Sequence, residues 1–215
     1  MPKKATKKEI QLIKDIFIDR YSDAVTELNY TNLYELLIAV MLSAQCTDKR
    51  VNIITPALFK RYPSTKELAN ANIDELKELI KSCSFFNNKA KNLINMAKAV
   101  QKDFEGKIPL DEKKLVTLAG VGQKTAHVVM IEYTKANLMA VDTHVYRVAH
   151  RLGLSYAKTA IETEKELTKK FKDNLHILHQ AMVLFGRYIC KSKKPLCDEE
   201  CFLKEYCKSK ESYKV

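Results

Sequence analysis

Leu115-Val-Thr-Leu-Ala-Gly-Val-Gly-Gln-Lys-Thr-Ala126 decides how this chain is read. Two apolar stretches with helical spacing flank a Gly-x-Gly turn. Glycine there permits positive φ and lets backbone amides come close to another surface. The amides fall at the start of the second helix, where unpaired N–H groups and the helix dipole favour an anion. A DNA phosphate suits such a position without any base contact. An ordinary helical hairpin would use the same glycines, so the turn alone is weak evidence for phosphate binding. Lys124 adds chemistry. It falls in the first turn of the second helix, where the dipole disfavours an ammonium by ~0.3–1 kcal/mol. Desolvated there by packing, it is expected to have a lowered pKa, and a neutral amine is what attack on a sugar carbon requires.

Eighteen residues further on stands Val141-Asp-Thr-His-Val-Tyr-Arg-Val148. Asp142 directly precedes a helical pattern and reads as an N-cap. The functional reading is a carboxylate that stabilises positive charge on a sugar as its base departs and that orients or deprotonates an amine. His144 reads as a packed histidine.

Outward from these segments, apolar residues recur at helical spacing almost throughout: Ile10, Ile13, Ile16 and Phe17; Leu33, Leu36, Leu37, Val40 and Met41; Ala90, Leu93, Ile94, Ala97 and Val100. Asn72 to Glu75 and Thr159 to Glu162 have the form of capping boxes. The first opens a helix to about Lys81. A last long helix is expected from about Leu175 to Cys190. Pro56 sits within a helical pattern and is expected to kink or end it. No alternating runs with paired turn signals occur, so the expected class is all-α.

The 215 residues suffice for one large domain or two small ones, and 46% are hydrophobic, which excludes global disorder. Lys and Arg number 37 against 26 Asp and Glu, a formal charge of +11 that makes nucleic acid the first partner to consider. A basic N-terminus leads into a charged amphipathic stretch, and Leu33 to Cys46, interrupted by Glu35, is too short to span a bilayer. A cytoplasmic protein without membrane association is expected, nucleoid-associated if bacterial. Disulfides are rare in that compartment, so the six cysteines need another role.

Four of them read Cys190-x6-Cys197-x3-Cys201-x5-Cys207. Such a set can close around zinc or a [4Fe–4S] cluster. Zinc prefers two short paired spacings and only one is present, so the spacing leans toward iron–sulfur. Lys191-Ser-Lys-Lys194 lies between the first two ligands, and a loop anchored by metal would present Lys191, Lys193 and Lys194 to phosphates. Cys46 and Cys83 read as core residues.

Together these residues resemble the endonuclease III family of helix–hairpin–helix DNA glycosylases. The likeness spans about residues 10 to 210 in order. It includes Leu-Leu-Ile-Ala-Val-Met-Leu-Ser-Ala-Gln-Cys-Thr-Asp48, Phe85-Phe-Asn-Asn-Lys-Ala90, the Gly-x-Gly-x-Lys hairpin and Val-Asp-Thr-His-Val-x-Arg-Val148. Ala119 stands where the family has Pro and Ser84 where it has Gly. One extra residue lies between Cys197 and Cys201. The resemblance implies a six-helix barrel over residues 26–136 and a discontinuous cluster domain over 1–25 and 137–215. DNA would lie in the cleft, with Lys124 and Asp142 facing across it. It also implies a [4Fe–4S] cluster on Cys190, Cys197, Cys201 and Cys207. Gln45 would fill the hole left by a flipped nucleotide and Phe85 would wedge into the opposite strand.

The expectation is a monomeric bifunctional glycosylase/AP lyase acting on double-stranded DNA with a damaged pyrimidine or an abasic site. Lys124 is the expected nucleophile and Asp142 its partner; Gly120 and Gly122 contact the backbone. Two alternatives stand beside it. One is an adenine or thymine mismatch glycosylase. The adenine branch usually lacks the lysine and carries an added C-terminal domain. The other is a non-catalytic DNA-binding module with structural zinc.

Overall fold

A computed structural model describes residues 4–209. Among them every regular element is helical. The chain divides into two compact units, a continuous one of residues 26–134 and a discontinuous one of residues 1–25 with 135–215. Each has its own hydrophobic core.

The discontinuous unit begins with α1 (Lys7–Tyr21), opened by a complete capping box: Thr6 Oγ1 accepts from Glu9 N at 3.2 Å and Glu9 Oε2 accepts from Thr6 N at 2.7 Å. Ile13 and Phe17, from the expected apolar face, are fully buried.

Residues 26–134 carry α2 (Leu33–Ser43), α3 (Asp48–Arg61), α4 (Thr65–Ala69), α5 (Ile73–Ile80), α6 (Phe86–Asp103), α7 (Glu112–Leu115) and α8 (Gln123–Thr134). Helix α2 is buried almost all round, so it forms the middle of the unit rather than one amphipathic wall. It packs on α3, α6 and α8. Pro56 does not end α3, which continues to Arg61. The proline faces solvent, where the carbonyl it leaves unbonded can reach water, and buried Val51, Ile54 and Leu58 hold the helix by its other face. Asn72 caps α5 by accepting from Asp74 N and Glu75 N. Its expected reciprocal arm is absent, because Glu75 instead pairs with Arg61 at 2.5 and 2.9 Å.

Past residue 134 the chain re-enters the discontinuous unit with α9 (Thr143–Arg151), α10 (Ala160–Phe171) and α11 (Leu175–Tyr188), followed by a 3₁₀ turn at Lys204–Tyr206. Helix α11 packs against α1 and α9. Gly186 makes the α9 contact possible, since a Cβ there would lie 2.9 Å from His144 Cβ. Thr159 accepts from Glu162 N, while its own hydroxyl donates to the Glu162 carboxylate, so only half of that capping box forms.

Candidate active site and DNA-contact residues

In the hairpin, buried Leu115, Leu118 and Val121 fix the turn to the core, and Val121 N donates to Leu118 O at 3.0 Å. The two glycines serve different ends. Gly120 has φ +78°, and a Cβ would meet Asn92 Cβ at 2.8 Å, so both conformation and close packing on α6 require it. A Cβ on Gly122 would meet nothing within 4 Å. Internal packing therefore gives no reason for this glycine, whereas close approach by an external group does. Gly122 O accepts from Ala126 N, so the amides of residues 123–125 head α8 with no earlier turn to bond. Gly120→Ala is expected to destabilise by about 1–3 kcal/mol. Gly122→Ala should leave the melting transition in place but weaken DNA binding, which thermal melting and a binding titration on each variant will separate.

Lys124 lies in the first turn of α8, as expected, but it is exposed. Packing of the protein therefore does not desolvate it; any desolvation must come with bound DNA. It makes no hydrogen bond or ion pair with the other described residues, and the first turn of α8 holds no acidic side chain to offset the dipole.

Gln45 and Phe85 share an unusual backbone. Both are exposed and left-handed, with φ 54° and 59°. A non-glycine residue in that region costs about 1–3 kcal/mol and persists only where its surroundings impose it. Phe85 is 61% exposed, which excludes a core role; its neighbour Phe86 packs on the core instead. The loops carrying the two residues are tied together. Lys89 Nζ, near the start of α6, donates to Leu42 O at 2.8 Å and Ala44 O at 2.7 Å at the end of α2. Cys46 Sγ lies 3.2 Å from Cys83 Sγ. Burial lowers the pKa of the Lys89 ammonium, yet two carbonyls hold it in place. Lys89 stands in the Phe85–Ala90 segment that carries the resemblance, but the sequence assigned it no role, because a lysine beside a helix start looks like a surface residue.

In the other unit, Asp142 caps α9. Its Oδ1 accepts from His144 N at 2.9 Å and Val145 N at 2.8 Å, and Oδ2 takes no hydrogen bond from the described residues. Capping thus fixes the half-buried carboxylate while leaving one oxygen for chemistry. His144 Nδ1 faces Arg147 Nη2 at 3.1 Å, in keeping with a packed histidine.

Cys190, Cys197, Cys201 and Cys207 line one cavity of about 390 Å³, walled by Leu152, Phe185 and Ile189. Arg151, a buried arginine of α9, donates to Cys190 Sγ at 3.2 Å, Cys190 O at 3.1 Å and Lys191 O at 2.7 Å. Arg147 Nε donates to Cys190 O at 2.9 Å. These two arginines, spaced one turn apart, were not read from the sequence as parts of the site. Burial, aided by the neighbouring thiols, pushes Cys201 up to about 11 and raises Cys197. Such a set becomes four thiolates only around a cationic centre. Among the described residues no group of His, Cys, Asp or Glu is arranged for a single metal ion. Four cysteines on the walls of one cavity suit a cluster, which takes one thiolate at each iron. The donor set therefore fits a [4Fe–4S] group. The extra residue before Cys201 is taken up in a tight turn, with Leu196 O accepting from both Glu200 N and Cys201 N. Lys193 and Lys194 are exposed and Lys191 half-buried.

A family model described as the HhH-GPD superfamily of base excision DNA repair proteins matches residues 38–173. Endonuclease III of Rickettsia felis is 44% identical over 92% of this chain and 93% of its own, and that of Bacillus subtilis 40% identical over 94% and 92%. A solved structure of a trapped endonuclease III–DNA covalent intermediate, an estranged-adenine complex, is 39% identical. It superposes with a TM-score of 0.88 over 94% of this chain and 96% of that one. A thermostable thymine-DNA glycosylase, 23% identical with a TM-score of 0.83, shares the fold. The fold and most of the chain thus match one superfamily of base excision DNA repair proteins. Within that superfamily, the chain belongs to the endonuclease III family.

Proposed function

We propose that this chain is a bifunctional DNA glycosylase/AP lyase that removes oxidised pyrimidines from duplex DNA. The observation that carries the reading is an exposed, unpaired lysine at the head of α8, two residues after a glycine with open space in front of it. The hairpin amides and Gly122 hold a backbone phosphate near Lys124. Gln45 and Phe85 occupy the space of an extruded nucleotide and the stack opposite it. As the free amine, Lys124 Nζ attacks C1′, and the base leaves with the electron pair of its glycosidic bond. The resulting Schiff base acidifies C2′; loss of that proton and of the 3′ phosphate cuts the strand by β-elimination. Asp142 supports positive charge on the sugar and takes or orients the amine proton through Oδ2. In the relative trapped with DNA, a covalent intermediate has been solved, which favours this class of chemistry.

Cys190, Cys197, Cys201 and Cys207 hold the [4Fe–4S] cluster. Its contribution is a structural cross-link that fixes Lys191, Lys193 and Lys194 toward phosphates. Arg151 and Arg147 steady the same loop from α9. Among the described residues no helix is long and apolar enough to cross a membrane.

Asn caps helices about as well as Asp. Asp142→Asn should therefore keep the fold while lowering base release by ~10²-fold or more, read as single-turnover kinetics beside a thermal melt. The function itself is tested on a panel of duplexes bearing an oxidised pyrimidine, an abasic site, or an A·G or G·T mismatch. Base loss with strand scission on the first, and strand scission alone on the second, support it. Activity confined to mismatches, or base removal without scission, overturns it.

A further inference from the structure

Cys46 and Cys83 take no part in the proposed chemistry, yet 37 residues apart in sequence their sulfurs stand 3.2 Å from each other. Neither is in a helix: Cys46 lies between α2 and α3, Cys83 between α5 and α6. Cys46 is half-buried and Cys83 is 2% exposed. Gln45 directly precedes the first, and Phe85 follows the second by two residues. We propose that Cys46 and Cys83 are an oxidation site for hydrogen peroxide, closing to a disulfide that clamps the Gln45 loop to the Phe85 loop.

The geometry favours closure. A disulfide needs the sulfurs at ~2.05 Å, so they must approach by little more than ~1 Å, and neither cysteine is held within a helix. Cys46 is the thiol a peroxide can reach. Lys89 and Arg50 lie near enough to act on the Cys83 sulfur, so positive charge stands beside the pair. The Cys46 thiolate attacks one peroxide oxygen, and the O–O bond breaks with release of water, leaving a sulfenic acid. The Cys83 sulfur then attacks the Cys46 sulfur, forming the S–S bond and expelling a second water. The two thiols lose two electrons and two protons in all, and the peroxide is reduced to two waters. Burial and the Cys46 thiol push Cys83 up to about 12, which suits it to follow rather than lead. Cytosolic disulfides, where they occur, are commonly transient and redox-sensing.

The consequence for DNA rests on the roles proposed for Gln45 and Phe85. Drawing the sulfurs together shifts two loops whose spacing must match an opened duplex, so oxidation weakens lesion binding. The test treats holoprotein with limited hydrogen peroxide and maps its peptides without reduction, with a binding titration on an oxidised-pyrimidine duplex in parallel. The expected result is a Cys46–Cys83 linked peptide lighter by the two lost hydrogens, and an affinity loss of at least ~3-fold that a thiol reductant reverses. Cys46→Ser should be insensitive to peroxide; at a half-exposed position it keeps the fold, where Cys83→Ser would place a hydroxyl in the core. No link at peroxide levels that already bleach the cluster overturns the site. A link that leaves affinity unchanged overturns the clamp. Borohydride trapping of the untreated protein on abasic DNA reports the lyase reading separately, so the two failures are distinguishable.

Discussion

Lys124→Gln is expected to abolish borohydride-trapped adducts with abasic DNA and to lower strand cleavage by at least ~10³-fold, the loss seen when a covalent nucleophile is removed. That factor corresponds to about 4 kcal/mol of transition-state stabilisation, which no change in folding or affinity at this position can mimic. The side chain is exposed and unpaired, so its truncation leaves no cavity and no orphaned partner. Glutamine is also a good helix former. Thermal melting should therefore move little, and DNA affinity should change only by the loss of a single positive charge. Intact binding with absent trapping isolates the amine as the chemical group. Unchanged trapping would instead assign the Schiff base to another of the chain's many lysines.

Cys201→Ser carries the second large effect. Burial holds the Cys201 thiol well above its ordinary pKa, and its removal leaves three sulfurs facing one cavity. The wild type should purify straw-brown, and the variant without that colour and with little iron. The variant should also lose several kcal/mol of stability in its C-terminal loop, since metal binding and folding of a small loop are one process. With that loop unanchored, Lys191, Lys193 and Lys194 no longer meet phosphates in a fixed pattern. Every phosphate left without its lysine lowers the slope of log affinity against log salt by ~0.9, and the total affinity falls by an order of magnitude or more. Metal analysis of the wild type separates iron from zinc independently of any assay. A colourless, zinc-loaded wild type would contradict the iron–sulfur cluster and favour a non-catalytic DNA-binding module.

The sequence was most legible where short-range chemistry decides. Asn72, Thr159 and Asp142 are caps whose partners lie within three residues, and each accepts from a backbone amide of its own helix. The apolar faces of α1, α2 and α6 are buried as their spacing required, because periodicity sorts residues before any tertiary contact is known. Legibility ended where the outcome depends on a distant element. Pro56 was expected to kink or end a helix; it does not end α3, which core contacts on the opposite face carry past it. Glu75 left its local arm for Arg61, fourteen residues away. Lys124 was expected to be desolvated by packing, and nothing in one segment could show that its face of α8 stays open. Lys89, Arg147 and Arg151 were missed for the same reason. A basic residue on a helix looks alike whether it meets water or a carbonyl some forty residues off. The pairing of Cys46 with Cys83 joins two loops with no shared sequence signal. The four clustered cysteines were legible from their spacing, and Gln45 and Phe85 only through the ordered resemblance to a known family; the left-handed backbones of those two and the common cavity of the cysteines came from the structure.

Which amine becomes bonded to sugar decides the mechanism. The most direct measurement is mass spectrometric mapping of the wild-type protein after borohydride reduction on a duplex with one abasic site. The reduced sugar remnant should fall on the peptide containing Gly122 to Ala126, attached at Lys124. A remnant attached at any other lysine or at the N-terminal amine, with the Lys124 peptide recovered unmodified, would contradict it.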